Sequence, residues 1–138
     1  MKKVFLLALL TFTFMSCEND DDNSNSVIIT DSELENELID LGQVSISIFT
    51  EDNIDQTSLF NAYVFSFEAN NIVTATRNGE TAQGSYNVFI DDGRTELALS
   101  FPNSTELLEL NDDWYYISST GNSILFQDEE DTLEFEKL

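Results

Sequence analysis

The sequence predicts an all-β domain: an eight-stranded antiparallel up-and-down meander, closed into a barrel or strongly curved, with a short helix in front of it. Three observations carry this. Apolar residues recur with period two in eight short runs, the links between runs are mostly short and rich in Asn, Asp and Gly, and one segment alone has helical spacing.

The helix comes first. Thr30 and Glu33 stand in capping-box spacing, and Ile29 and Leu34 occupy the positions of a hydrophobic staple. Leu34 and Leu38 share one face of Asp31 to Ile39, the three glutamates lie largely off it, and Gly42 can end the turn. The first strand follows, with Val44, Ile46 and Ile48 on one side and Ser45 and Ser47 on the other. The other seven runs are Phe60 to Phe67, Ile72 to Thr76, Ser85 to Ile90, Glu96 to Phe101, Trp114 to Ser119, Ser123 to Gln127 and Thr132 to Lys137. Asn78-Gly79 and Asp92-Gly93 are suited to tight hairpins, because both residues of each pair tolerate positive φ. Two longer links break the rhythm. Glu51 to Leu59 is polar, and Asn103 to Leu110 is expected to hold one helical turn that packs Leu107 and Leu110.

The chain ahead of the helix is of another kind. Lys2 and Lys3 precede an apolar stretch from Val4 to Met15, which at roughly 12 residues falls short of the roughly 20 a bilayer-spanning helix needs. Phe14-Met15-Ser16-Cys17 resembles the bacterial lipobox, with Phe14 in place of the usual leucine. That resemblance implies cleavage before Cys17 and acylation of its thiol, so that residues 1–16 are a signal peptide. Residues 17–29 then form a lipidated tether, acidic and without apolar residues from Glu18 to Ser26, and residues 30–138 the β domain. Acidic residues directly after the cysteine also resemble the export signal for surface display on the outer membrane. Asp20, Asp22 and Ser24 have calcium-loop spacing, but the glycine and closing glutamate of that motif are missing.

Composition narrows the chemistry. Cys17 is the single cysteine, which excludes an intrachain disulfide and leaves the core to stabilise the domain. There is no histidine, so no Ser-His or Cys-His pair and no histidine metal ligand can form. After Cys17 only Arg77, Arg94 and Lys137 stand against 27 acids. Such a field repels nucleic acid and favours cationic partners. Paired carboxylates occur at Glu51-Asp52, Asp91-Asp92, Asp112-Asp113 and Glu129-Glu130-Asp131, in expected turns where acids serve solvation. None has a context that would raise one partner for acid catalysis, so no enzyme, cofactor or metal site is expected.

Several segments are similar to the small lipocalin-like lipoproteins of Gram-negative bacteria. These are Phe60-Asn61-Ala62-Tyr63-Val64-Phe65-Ser66-Phe67, Val73-Thr74-Ala75, Gly84-Ser85-Tyr86 and above all Leu110-Asn111-Asp112-Asp113-Trp114. The resemblance implies a barrel and, by analogy, a binding role. One departure matters: the tryptophan that often opens the first strand, closing one barrel end, is here Val44.

Two functions follow. A small apolar ligand would sit in a narrow site near Val44, bounded by Tyr63, Tyr86 and Trp114, with Phe65 and Tyr116 on the same inward faces. An eight-stranded barrel is just wide enough for one small ligand or for a filled core, and large rings on short strands favour the filled core. The alternative is an acidic inhibitor or immunity-type lipoprotein that blocks a cationic protein. Phe49, Phe89, Tyr115 and Leu125 fall opposite the core side of their strands, and the helix is expected to cover this outer row. Lipidation is tested directly: Cys17→Ser is expected to abolish lipid labelling and membrane association while the domain still folds, and a lipid-labelled serine variant would overturn the anchor.

Overall fold

The structure, a computed structural model, describes residues 28–102 and 106–138. The signal peptide, Cys17, the acidic tether before Ile28 and the calcium-loop spacing lie outside the described residues. Helix α1 (Asp31–Leu41) leads into nine strands: β1 (Gln43–Glu51), β2 (Ile54–Asp55), β3 (Val64–Glu68), β4 (Ile72–Arg77), β5 (Glu80–Asp91), β6 (Arg94–Ser100), β7 (Asp113–Ser119), β8 (Ser123–Asp128) and β9 (Asp131–Lys137). All neighbours are antiparallel. Pairing of β1 with both β3 and β9 closes eight strands into a barrel, and the two-residue β2 adds to the far end of β1.

Local chemistry accounts for most of this. The Thr30 hydroxyl accepts from the Glu33 amide at 3.2 Å, and the Glu33 carboxylate accepts from the Thr30 amide at 2.9 Å, which completes the capping box. Gly42, at φ 71°, ends the helix. Asn78-Gly79 and Asp92-Gly93 each have positive φ at both positions and link directly paired residues, as two-residue hairpins require.

Three details differ from the sequence reading. The run from Phe60 splits: Thr57–Phe60 is a 3-10 turn and the strand starts at Val64. β5 starts at Glu80, because the Asn78-Gly79 turn continues the ladder directly from β4. The largest difference is in β1, where a bulge lies between Ile46 and Ile48. An extra residue on one strand reverses the side-chain alternation beyond it. Ile48, expected inside, is therefore 38% exposed, and Phe49, expected outside, is 1% exposed.

Both ends of the barrel are closed. At the end holding the start of β1, α1 buries Leu34, Leu38 and Leu41 and packs against β3, β5 and β6. The helix thus fills a barrel end, a placement different from the outer row expected for it. The Thr95 hydroxyl donates to the Ile29 carbonyl and ties the approach to the helix onto β6. At the other end the 3-10 turn brings Phe60 inward, and a second such turn, Leu107–Leu110, buries Leu107 and Leu110 as expected.

The L-N-D-D-W segment latches this end. The Asn111 amide oxygen accepts from the Phe101 backbone N–H at 2.6 Å, and its amide nitrogen donates to the Phe101 carbonyl at 3.1 Å. The Trp114 indole N–H donates to the Leu110 carbonyl at 3.0 Å, so a ring at 2% exposure keeps its one polar atom satisfied.

Ring size is matched across the interior. Gly84 on β5 makes room for the Phe101 ring. A Cβ on Gly84 would lie 2.6 Å from the Ser100 carbonyl oxygen and 2.7 Å from Cδ1 of Phe101. Gly84→Ala is therefore expected to destabilise the domain by about 1–3 kcal/mol, the usual cost of overpacking, as read by urea denaturation. An unchanged midpoint would show that the Phe101 ring has room to retreat.

Candidate functional site

The six residues expected to line a ligand site are spread over the barrel. Val44 (0% exposed) lies at the end that α1 closes and pairs with Phe65 (0%). Tyr86 is near the same end, and its hydroxyl donates to the Glu68 carbonyl at 2.9 Å. Tyr63 and Trp114 lie toward the opposite end, near Phe60 and Leu110 respectively. Tyr116 is half-buried and donates to the Ser119 hydroxyl at 3.1 Å. Tyr63, Tyr86 and Trp114 thus do not converge around Val44.

Five of these six join a continuous set of ring contacts through the interior. From Trp114 the contacts run through Phe49, Phe60 and Tyr63 to Phe65, which also touches Phe101, and then through Phe135 to Phe67 and Tyr86 on one side and to Phe126 and Tyr116 on the other. Centroid separations are 5.1–6.5 Å and most pairs meet edge to face. Each such contact is worth about 0.5–1.5 kcal/mol beyond area burial.

The outer wall carries different chemistry. A groove of about 390 Å³ crosses β6, β7 and β8, lined by Arg94 and Glu96, by Asp112, Asp113 and Tyr115, and by Asp128 and Glu129. Its floor follows from register. Phe89 on β5, Glu96 on β6 and Tyr115 on β7 are direct cross-strand neighbours on the outward face. Two aromatic rings thus flank one carboxylate, and Glu96 is only 7% exposed. It makes no hydrogen bond or ion pair with any described residue. The Arg94 guanidinium lies 4.4 Å from the centre of the Tyr115 ring.

Electrostatics mark the same place. Burial raises the Glu96 carboxyl above its ordinary value, and Asp91, Asp113 and Asp128 push it further, against a smaller opposing pull from Arg94. Asp128 is raised by burial and then by the nearby carboxylate of Asp112. Glu51, at the same barrel end, is raised by burial and by Glu109. Among the described residues no group of three or more acids is placed to hold a metal ion.

Sequence reasoning missed Glu96, because alternation presented it as an ordinary outward acid. The apolar outward residues on either side, Phe89 and Tyr115, were the available signal. Asp112-Asp113 and Glu129 were noticed only as turn residues, which they also are: the Asp112 carboxylate accepts from the Asp113 amide at 2.8 Å.

These shifts set a pH dependence. A carboxyl whose folded value is raised penalises the fold when ionised, and the penalty vanishes as pH falls through that value. Glu51, Glu96 and Asp128 act this way, starting from ordinary values of 4.5, 4.5 and 3.8. Glu33 and Asp55 are lowered by backbone hydrogen bonds, so their contribution is lost only below their ordinary values of 4.5 and 3.8. Melting temperature is therefore expected to rise as pH drops from about 7 to about 5 and to fall again in stronger acid. A monotonic fall from neutrality, by calorimetry, would contradict the raised carboxyls.

Comparison with known proteins adds the fold alone. No family model and no curated protein matches the chain. Among solved structures it is similar to a DUF4847 family protein from Bacteroides vulgatus ATCC 8482, with a TM-score of 0.51 and 16% identity over 74% of this chain and 96% of that one. At this identity the likeness supports the barrel and says nothing of a ligand.

Proposed function

We propose that the chain is a non-enzymatic binding module of the bacterial cell envelope, held at the outer membrane by lipid on Cys17, which takes a cationic protein partner on its acidic outer wall. The observation that carries this reading is the outer groove, where five carboxylates, one of them almost wholly buried, meet a tyrosine face. The charge balance of the whole domain adds to it. A small apolar ligand near Val44 is less well supported, because it would have to displace rings that already touch one another. Histidine is absent from the chain, which removes the commonest general base and favours binding over catalysis in this reading.

Salt and position together test the reading. An oligolysine peptide is expected to bind in about 50 mM salt and to weaken steeply as salt rises. Asp112→Asn, Asp113→Asn and Asp128→Asn together are expected to reduce affinity about tenfold, at the usual worth of exposed charge pairs. The charge-matched set Glu68→Gln, Glu80→Gln and Glu136→Gln, on exposed positions outside the groove, is expected to change it far less. Equal losses from the two sets would leave only a diffuse acidic field and overturn the groove.

A further inference from the structure

Resting on that reading, we infer that the groove is a subsite for a single arginine side chain of the partner, whose guanidinium replaces Arg94 on the Tyr115 face and hydrogen-bonds to Glu96.

Three observations converge on a guanidinium. Tyr115 already carries one, since Arg94 lies over its ring at 4.4 Å, so the geometry of the face fits that group. Arg94 makes no ion pair of 4.0 Å or less with any described carboxylate. It therefore contributes stacking and leaves the nearby acids without a hydrogen-bonded cation. Glu96 is the third observation: a residue 7% exposed overall, lining an open groove, whose carboxylate oxygens reach solvent there and accept from no described residue. A donor arriving in the groove therefore finds a charged acceptor with no protein partner.

Arg94 has no room in this scheme as a helper. It sits on the face the incoming group needs, so it acts as an internal competitor, and its exposed position on the groove wall leaves it free to swing away. The chain thereby keeps Tyr115 covered when no partner is present.

The test is a nuclear magnetic resonance titration of the isotope-labelled chain with N-acetylargininamide, a monocation too small to report a diffuse field. Saturable shifts confined to residues 94–96, 112–115 and 128 are expected. Arg94→Ala is expected to raise affinity about twofold to fivefold, the worth of the stacking it removes. Glu96→Gln is expected to lower it about tenfold, as loss of a charge-assisted hydrogen bond does. Tyr115→Leu, which keeps the carboxylates, is expected to weaken it as well, and melting curves of all three variants check that the barrel is intact.

Shifts that do not saturate, or that are unchanged by Glu96→Gln, would overturn the subsite. Equal binding of N-acetyllysinamide, or displacement by calcium at equal concentration, would overturn its preference for a guanidinium. Oligolysine binding by the unsubstituted chain with no saturable argininamide binding to it would sink this inference and leave the wider acidic-wall reading standing.

Discussion

The bulge in β1 is the constraint on which the rest of the barrel depends. β1 pairs with β3 at Gln43 and Val44 and with β9 along nearly its whole length, so it alone closes the cylinder. A strand with strict alternation would put Ile48 inside and Phe49 outside. The register shift after Ile46 exchanges them, and Phe49 then meets Phe60 at 5.1 Å and Trp114 at 6.1 Å. Backbone polarity follows the same turn. The Phe49 amide donates to the Thr57 hydroxyl at 2.8 Å, and the Phe49 carbonyl accepts from the Gln56 amide at 2.9 Å. One inserted residue thus fixes the 3-10 turn that brings Phe60 into the open end, and the ring network grows from there.

A filled interior moves the chemistry outward. With both ends plugged and the rings in contact, specificity has to be written on the wall, where side chains of alternate strand positions stand free. The wall is rich in acids, which helps solubility, and a few of them also cap or tie the backbone, as Glu33 and Asp112 do. Glu96 differs from the other acids of the groove in place: register sets it between Phe89 and Tyr115, and most of its side chain is covered there.

Much of the fold was legible because it rests on local chemistry. The capping box at Thr30, the Asn-Gly and Asp-Gly hairpins and the eight alternating runs each specify their own geometry within a few residues. The bulge was not legible, since an extra residue between two apolar positions leaves no composition signal and only pairing with β9 reveals it. The groove was hidden for a related reason. Its members come from three strands and two turns, and register alone sets Glu96 beside Tyr115. The helix illustrates a third limit: its apolar stripe announced that it covers something, but the sequence could not say whether that was a wall or an end.

That last point also bears on the departure at Val44. In the lipocalin-like pattern a tryptophan on the first strand occupies one barrel end, and its absence here pointed to vacant space. The structure fills that end with a helix instead. Leu34, Leu38 and Leu41 are at most 4% exposed, and Val44, directly after the helix, is fully covered. A tryptophan at Val44 would compete with these leucines for one volume, so the small residue and the helical plug are two halves of one packing solution. The loss of an aromatic anchor is thus no evidence for a cavity when a neighbouring element has an apolar stripe to bury. Such a substitution and such a stripe, read together, describe a closed end.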